Sequence, residues 1–453
     1  MQLSFFGGAQ TVTGSRYLLE MGSRKILVDC GLFQGVTQFR HHDREPFPVP
    51  PSEVDAVILT HAHIDHSGYL PLLVKNGFSG KIYCSLPTLD LCNILLPDSG
   101  YLQEEEAKFA NRHGYSKHKP ALPLYTKEDA EKSLGYFRPL EFCKKYRIGE
   151  IRVSLFPAGH ILGASFVQIQ FAGQTVLFSG DLGRPHDPIM LPPTEMHNTD
   201  FLILESTYGD RLHDPEDPLD KLGEIVRKTS TNGGSVIIPA FAVGRAQDVL
   251  YLLYQLKKSG KIPDLPVYLD SPMAKNATDI FRKYAHLHRL PAVLCQKVCD
   301  VATCINSREE SKALDTPGAP KIIISASGML EGGRVLHHVR ALAPDAANAI
   351  VFTGYQAMGT RGAELIAGKK SIRIFGGDVP VNASVYVLHN MSAHADYAEI
   401  LQWLAHFRHP PRRVFITHGE PAAALSLCEK ITDSLHWQCI APKFLQTEKL
   451  DAH

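Results

Sequence analysis

The chain has no surplus of either charge: 47 lysines and arginines stand against 47 aspartates and glutamates. No global basic field advertises a nucleic-acid binder, so a polyanion would have to be held by local basic groups or by bound metal. There is no apolar run of about 18 residues, the length that marks a membrane-spanning helix. No signal peptide is recognisable, since Met1 leads almost directly into the strand-like residues 3–6. A cytoplasmic protein is expected. Nine cysteines, odd in number and scattered, argue against a disulfide framework. Cys295, Cys299 and Cys304 form the only cluster, with a spacing that fits no common zinc motif. Internal repeats and low-complexity tracts are absent. Gly332-Gly333-Arg334 lacks the spacing of a P-loop or dinucleotide fingerprint, so no nucleotide cofactor is predicted.

What is present is an ordinary globular composition, 44% apolar and 21% charged, over 453 residues. That length allows two or three domains and a large core. Histidine is the unusual component, with 22, and position decides which of them matter. Thr60-His61-Ala62-His63-Ile64-Asp65-His66-Ser67-Gly68 follows the apolar, β-branched residues 54–59, which read as a buried strand. Three histidines and an aspartate thus fall where a strand ends and a turn begins. His61 and His63 are two apart and point to the same side of an extended backbone. Asp65 and His66 follow at the turn and can face a second ion.

The same design recurs along the chain. Strand-like residues 25–30 end at Asp29, and 152–156 lead into the turn holding His160. Asp181 follows strand 175–179, Glu205 ends the apolar run from 201, and His418 follows the run from 413. In α/β sheets the C-terminal edge of the strands is where ligands sit, and a repeated delivery of ionisable residues there argues for one shared site. Residues 88–112 are predicted helical, and the basic segment 112–119 a solvated loop. Between 208 and 388 the rhythm differs: strands at 235–239, 267–270, 321–325 and 349–352 alternate with helical stretches such as 247–258 and 272–284. This predicts βα units on a mostly parallel sheet, inserted into the first domain. The expected division is 1–207 and 389–453 for the first domain and 208–388 for the insertion, with the strand-then-ligand pattern resuming at 384.

His61, His63, Asp65, His66, His160, Asp181 and His418 give seven candidate ligands, too many for one ion. Two ions sharing a carboxylate fit: His61, His63 and His160 on one, Asp65, His66 and His418 on the other, with Asp181 between. Nitrogen and oxygen donors without cysteine favour two Zn(II) per chain, with Mn(II) or Fe(II) as alternatives. Two dications against two carboxylates leave the site about two charges positive, suited to an anionic substrate and to making hydroxide at neutral pH.

His61-Ala62-His63-Ile64-Asp65-His66, followed by His160 and Asp181, resembles the signature of the metallo-β-lactamase superfamily. Three later segments resemble the motifs of its β-CASP nuclease subfamily: Glu205-Ser206-Thr207-Tyr208-Gly209, Ser392-Ala393-His394-Ala395-Asp396 and Thr417-His418-Gly419-Glu420. Phe241-Ala242-Val243-Gly244-Arg245-Ala246-Gln247, Ser327-Gly328-Met329 and Gly354-Tyr355-Gln356 resemble segments of the inserted β-CASP domain. The nearest pattern is that of the RNA-processing members, which include the cleavage-and-polyadenylation endonuclease subunit and RNase J-like ribonucleases. The resemblance implies an αββα sandwich carrying an inserted α/β domain. It also implies hydrolysis of single-stranded RNA by a two-zinc-activated hydroxide, leaving 5′-phosphate and 3′-hydroxyl ends. His418 itself points to RNA, because DNA-acting members tend to carry Val there.

On that reading His394 is the acid for the leaving oxygen, with Glu205 holding its ring and raising its pKa. Asp29 orients a ligand histidine through its other ring nitrogen. Ser392 and Arg245 are candidates for substrate phosphate and Tyr355 for base stacking, each against an ordinary packing role. Internal and 5′-terminal attack both stay open, and a homodimer is an analogy. The alternatives are a small-molecule hydrolase of the same fold, acting on a thioester, lactone or lactam, a DNA nuclease, and a scaffold retaining structural metal.

Overall fold

The computed structural model describes residues 1–35, 37–114 and 119–450. It divides into two compact units, one of Met1–Leu212 with His394–His453, the other of His213–Ala393.

In the first unit two seven-stranded sheets pack face to face. One runs in the order Thr447–Lys449, Gln2–Gly7, Arg16–Met21, Arg24–Val28, Ala56–Ile58, Lys81–Ser85, Phe137–Leu140. The other runs Cys439–Ile440, Arg413–Thr417, Phe201–Glu205, Gln174–Phe178, Ser165–Phe171, Ile151–Pro157, Tyr146–Ile148. Alternation sends Phe5, Leu19 and Val28 of the first sheet inward to meet Leu155, Val167, Phe178, Ile203 and Phe415 of the second, all fully buried. Each such side chain contributes about 1.5–3 kcal/mol by leaving water. Helix Leu86–His113 packs on the first sheet and helix Pro421–Leu435 on the second, completing an αββα sandwich.

Strand direction is what gathers the site. Arg24–Val28 and Ala56–Ile58 are parallel, so Asp29 and the residues from Thr60 onward emerge at one edge of the first sheet. Gln174–Phe178, Phe201–Glu205 and Arg413–Thr417 are likewise mutually parallel, in a register that sets Phe178 beside Ile203 and Glu205 beside Thr417. Asp181, Glu205 and His418 therefore leave the second sheet together.

The second unit is built on a six-stranded, wholly parallel sheet ordered Thr303–Cys304, Val267–Asp270, Ile322–Ser325, Val236–Pro239, Ala349–Phe352, Ser384–Val387. Parallel neighbours need long crossovers. Helices such as Arg245–Lys258, Pro272–Lys283 and Val335–Leu342 supply them, with buried faces of Val, Leu and Ala. The expected alternation is present, with one correction. Residues 384–387, where the strand-then-ligand pattern was expected to resume, form the last strand of the inserted sheet, inside the expected bounds of 208–388. The units divide at 212/213 and 393/394, where the sequence suggested 207/208 and 388/389.

Helix Leu86–His113 starts on its Ser85 cap and stops at Gly114, in the left-handed conformation at φ 66°. Arg112 and His113 thus belong to the helix rather than to a loop, and residues 115–118 of the basic segment lie outside the described residues. All nine cysteines are free, and no cysteine joins any cluster of metal-type donors among the described residues. No helix among those residues is long and apolar enough to cross a membrane.

Candidate metal centre

His61, His63, His160 and Asp181 converge in the first unit, and Asp65, His66 and His418 converge beside them. In the first group His63 Nδ1 lies 3.2 Å from His61 Nε2 and 3.3 Å from His160 Nε2, while Asp181 Oδ2 lies 3.4 and 3.3 Å from those same two nitrogens. In the second, His66 Nε2 is 3.1 Å from His418 Nε2, which is 3.4 Å from Asp65 Oδ2. Asp181 turns its other oxygen this way, with Oδ1 3.2 Å from His66 Nε2. One carboxylate therefore faces both groups.

These separations can be tested against a metal. Donors about 2.0–2.1 Å from a tetrahedral zinc stand about 3.3–3.4 Å apart along the tetrahedron's edges. The spacings in the first group match that length. Asp181 Oδ1 is buried without a hydrogen-bond partner although His66 and His418 crowd it. A carboxylate oxygen so placed is costly to bury unless a cation compensates it. The donor set fits metal.

The electrostatics agree. Burial lowers the pKa of His61 to about 3 and of His63 to about 4, and carries His160 well below its ordinary value. All three are neutral at neutral pH, with lone pairs available. Burial would raise Asp65 and Asp181, but neighbouring histidines overcome it and hold both carboxyls below the usual range. Burial also opposes charge on His66, yet Asp181 and Asp29 raise it well above its ordinary value. A pull of this kind toward positive charge is what a cation at the same place would satisfy.

The supporting shell holds the donors still. Asp29, fully buried, accepts from Thr60 N (2.7 Å) and Thr60 Oγ1 (2.8 Å), and its Oδ2 lies 2.8 Å from His66 Nδ1. Loop 29–32 is laced to the His66 helix by Cys30 N to His66 O (2.7 Å) and Leu32 N to Ile64 O (2.9 Å). A Cβ on Gly31 would sit 1.6 Å from Asp65 O, so only glycine permits that approach. Asp29 and His418 both have left-handed backbone, at φ 58° and 47°, a disfavoured state that concentrates at functional sites.

His394 sits beside the donors. Its Nδ1 is 3.0 and 3.1 Å from the Glu205 oxygens, and its ring lies 4.6 Å from that of His160, centroid to centroid. Burial lowers the His394 pKa, but Glu205 and then Asp181 raise it to about 9. Two further groups were read from sequence only as parts of motifs: Thr60, which braces Asp29, and Thr207, whose Oγ1 is 3.1 Å from His418 Nδ1. Their one signal was a hydroxyl beside an ionisable residue.

Arg245, Ser392 and Tyr355 belong to the second unit. Arg245 opens its helix and donates to Asp248 Oδ2 at 2.8 Å, so part of its guanidinium is engaged. Ser392 is buried and Tyr355 half-buried.

Comparison with known proteins agrees with this architecture. Residues 11–137 match the metallo-β-lactamase superfamily, 246–365 the β-CASP domain, and 378–442 the Zn-dependent metallo-hydrolase RNA specificity domain. Ribonuclease TTHA0252 of Thermus thermophilus is 39% identical over 94% of this chain and 95% of its own length. An RNase J-like protein of Methanocaldococcus jannaschii is 32% identical, covering 97% of each chain. The transcription termination factor FttA of the same archaeon is 30% identical over 98% of this chain and 70% of its own. The shared domains run through both units, in the order the chain itself lays them down. The chain belongs to the β-CASP RNA-processing nucleases of the metallo-β-lactamase superfamily.

Proposed function

We propose that this chain is a two-zinc ribonuclease that cuts phosphodiester bonds to leave 5′-phosphate and 3′-hydroxyl ends. The observation that carries this is the pair of donor groups facing one shared carboxylate, Asp181, with His394 held by Glu205 alongside. His61, His63, His160 and Asp181 would hold one ion, and Asp65, His66, His418 and Asp181 the other. When bound, two Zn(II) ions supply Lewis-acid activation of water and of the phosphate at neutral pH.

The chain's own residues do the rest. Cleavage to a 3′-hydroxyl requires a proton at the ribose 3′-oxygen as its bond to phosphorus breaks. His394, tethered through Nδ1 to Glu205, is the residue assigned to deliver it. Glu205 is positioned in turn by N–H donors from Leu182 (2.7 Å) and Thr207 (3.2 Å). Asp29 fixes the tautomer and plane of His66. In the second unit, Arg245 and Ser392 are assigned to phosphate contacts and Tyr355 to a base.

RNA rather than a small ester is favoured by the match to the RNA specificity domain and by relatives named as ribonucleases. A thioester or lactone hydrolase would need neither the inserted unit nor the Glu205–His394 pair. The test incubates end-labelled single-stranded RNA, matched DNA and a thioester with the purified protein, with and without chelator. Chelator-sensitive cleavage of RNA is expected. Inertness toward RNA with turnover of the thioester would overturn the proposal.

A further inference from the structure

His418 adopts a backbone conformation that is uncommon for residues other than glycine. Its φ of 47° lies in the left-handed region, where Cβ crowds the backbone. Three contacts hold it there. Its carbonyl accepts from Ser206 N and from Thr207 Oγ1, both at 3.2 Å. Those donors sit at the end of the adjacent strand in the same sheet. The third contact crosses to the opposite sheet: His418 N donates to the carbonyl of Gly8 at 2.6 Å. Gly8 follows the strand Gln2–Gly7, at the other end of the chain.

Position 8 has little tolerance. Gly8 is itself left-handed, at φ 62°, and a Cβ there would stand 2.4 Å from the Tyr17 hydroxyl and 3.0 Å from Ser15 Oγ. Tyr17 cannot retreat, because its ring is buried between those of Phe5 and Phe178, 6.1 and 6.0 Å away. A side chain at 8 must therefore move the Gly8 backbone, and the carbonyl that receives His418 moves with it.

We infer that the Gly7-Gly8 turn is a positioning element for the second metal group, fixing the His418 imidazole beside Asp65 and His66 through a single backbone hydrogen bond. The inference rests on the proposed two-ion site and names a determinant of one ion only. His61, His63 and His160 are carried by other loops, so the effect of Gly8 is selective.

The test loads the full-length chain with Zn(II), counts the ions by mass spectrometry and titrates them against a chromophoric chelator, with Co(II) spectra as a second readout. The parent chain should hold two ions, and His418→Ala should lose one. Gly8→Ala should weaken that same ion by about tenfold or more, in the range for lost positioning contacts, with the other unchanged. Gly8→Ala combined with His418→Ala should bind no worse than His418→Ala alone, because Gly8 acts through His418. Adding Tyr17→Phe to Gly8→Ala removes the hydroxyl that the methyl meets and should restore part of the loss. Parental affinity for both ions in Gly8→Ala would overturn the inference and leave the two-ion site standing. Equal weakening of both ions, or unfolding of Gly8→Ala with and without Tyr17→Phe, would also overturn it, by making the turn a support of the whole unit. Fewer than two ions in the parent chain would overturn the two-ion site and this inference together.

Discussion

Glu205 holds His394 by both of its oxygens, at 3.0 and 3.1 Å from Nδ1, and is itself held by two backbone N–H groups. The arrangement fixes the orientation of the ring, and the carboxylate favours its protonated form. A carboxylate placed only for packing would need neither. His394→Ala should therefore lower kcat on RNA by about 10²–10⁴, the usual contribution of a positioned acid, with metal content unchanged. Glu205→Gln keeps the contact but removes the charge, so an intermediate loss is expected. Single-turnover cleavage together with metal analysis checks this, and near-parental turnover in His394→Ala would remove it from the mechanism.

Asp29 is the only carboxylate in hydrogen-bond range of His66 Nδ1 among the described residues. Asp29→Ala should weaken the ion held by His66 by about 10–100-fold, the range for lost orienting partners of ligand histidines. A chelator titration reads that change. Equal affinities in variant and parent would make Asp29 a turn residue that only braces Thr60.

Asp181 offers one oxygen to each donor group. Asp181→Ala should reduce the count of tightly held ions below two, whereas removal of either group's own histidine should affect that group first. Ion counting by mass spectrometry distinguishes the two patterns.

Much of this site was legible in the sequence because its residues come just after strands. His61, His63, Asp65 and His66 fall within six residues, and Asp181, Glu205 and His418 each close or follow an apolar run. Three parallel strands then deliver the last three to one edge. Other contacts left no local trace. The Gly8–His418 bond joins residues at opposite ends of the chain, through backbone atoms that every residue carries. Residues 384–387, where the strand-then-ligand pattern was expected to resume, carry no ligand: one exposed and three half-buried residues at an edge do not announce which sheet they join.

The second unit hides a further network for the same reason. Asp270, fully buried, takes Arg334 Nη1 at 2.6 Å, His338 Nε2 at 2.8 Å and the Ser311 hydroxyl, while His338 Nδ1 is 2.6 Å from Asp315. Nothing in the sequence links these residues, since they lie at a strand end, within helices or at helix caps that are far apart along the chain. His338→Ala should cost about 3–5 kcal/mol, as expected when one partner of a buried ion pair is removed. Burial lowers the His338 pKa, but Asp270 and Asp315 overcome it and hold it above its ordinary value. Its stabilisation is therefore complete below about pH 6.5 and lost as pH rises through the raised folded value. Hydrogen-exchange protection of Val267–Asp270 and Ile322–Ser325, corrected for intrinsic exchange, should fall with rising pH in the parent and lose that trend in the variant.

The central claim is hydrolysis: water attacks phosphorus and the 3′-oxygen leaves protonated. The most direct measurement runs the cleavage in water enriched in heavy oxygen and weighs the products. One heavy oxygen in the new 5′-phosphate, with an unlabelled 3′-hydroxyl on the other fragment, is the predicted result. A 2′,3′-cyclic phosphate, or heavy oxygen in a 3′-phosphate, would contradict it.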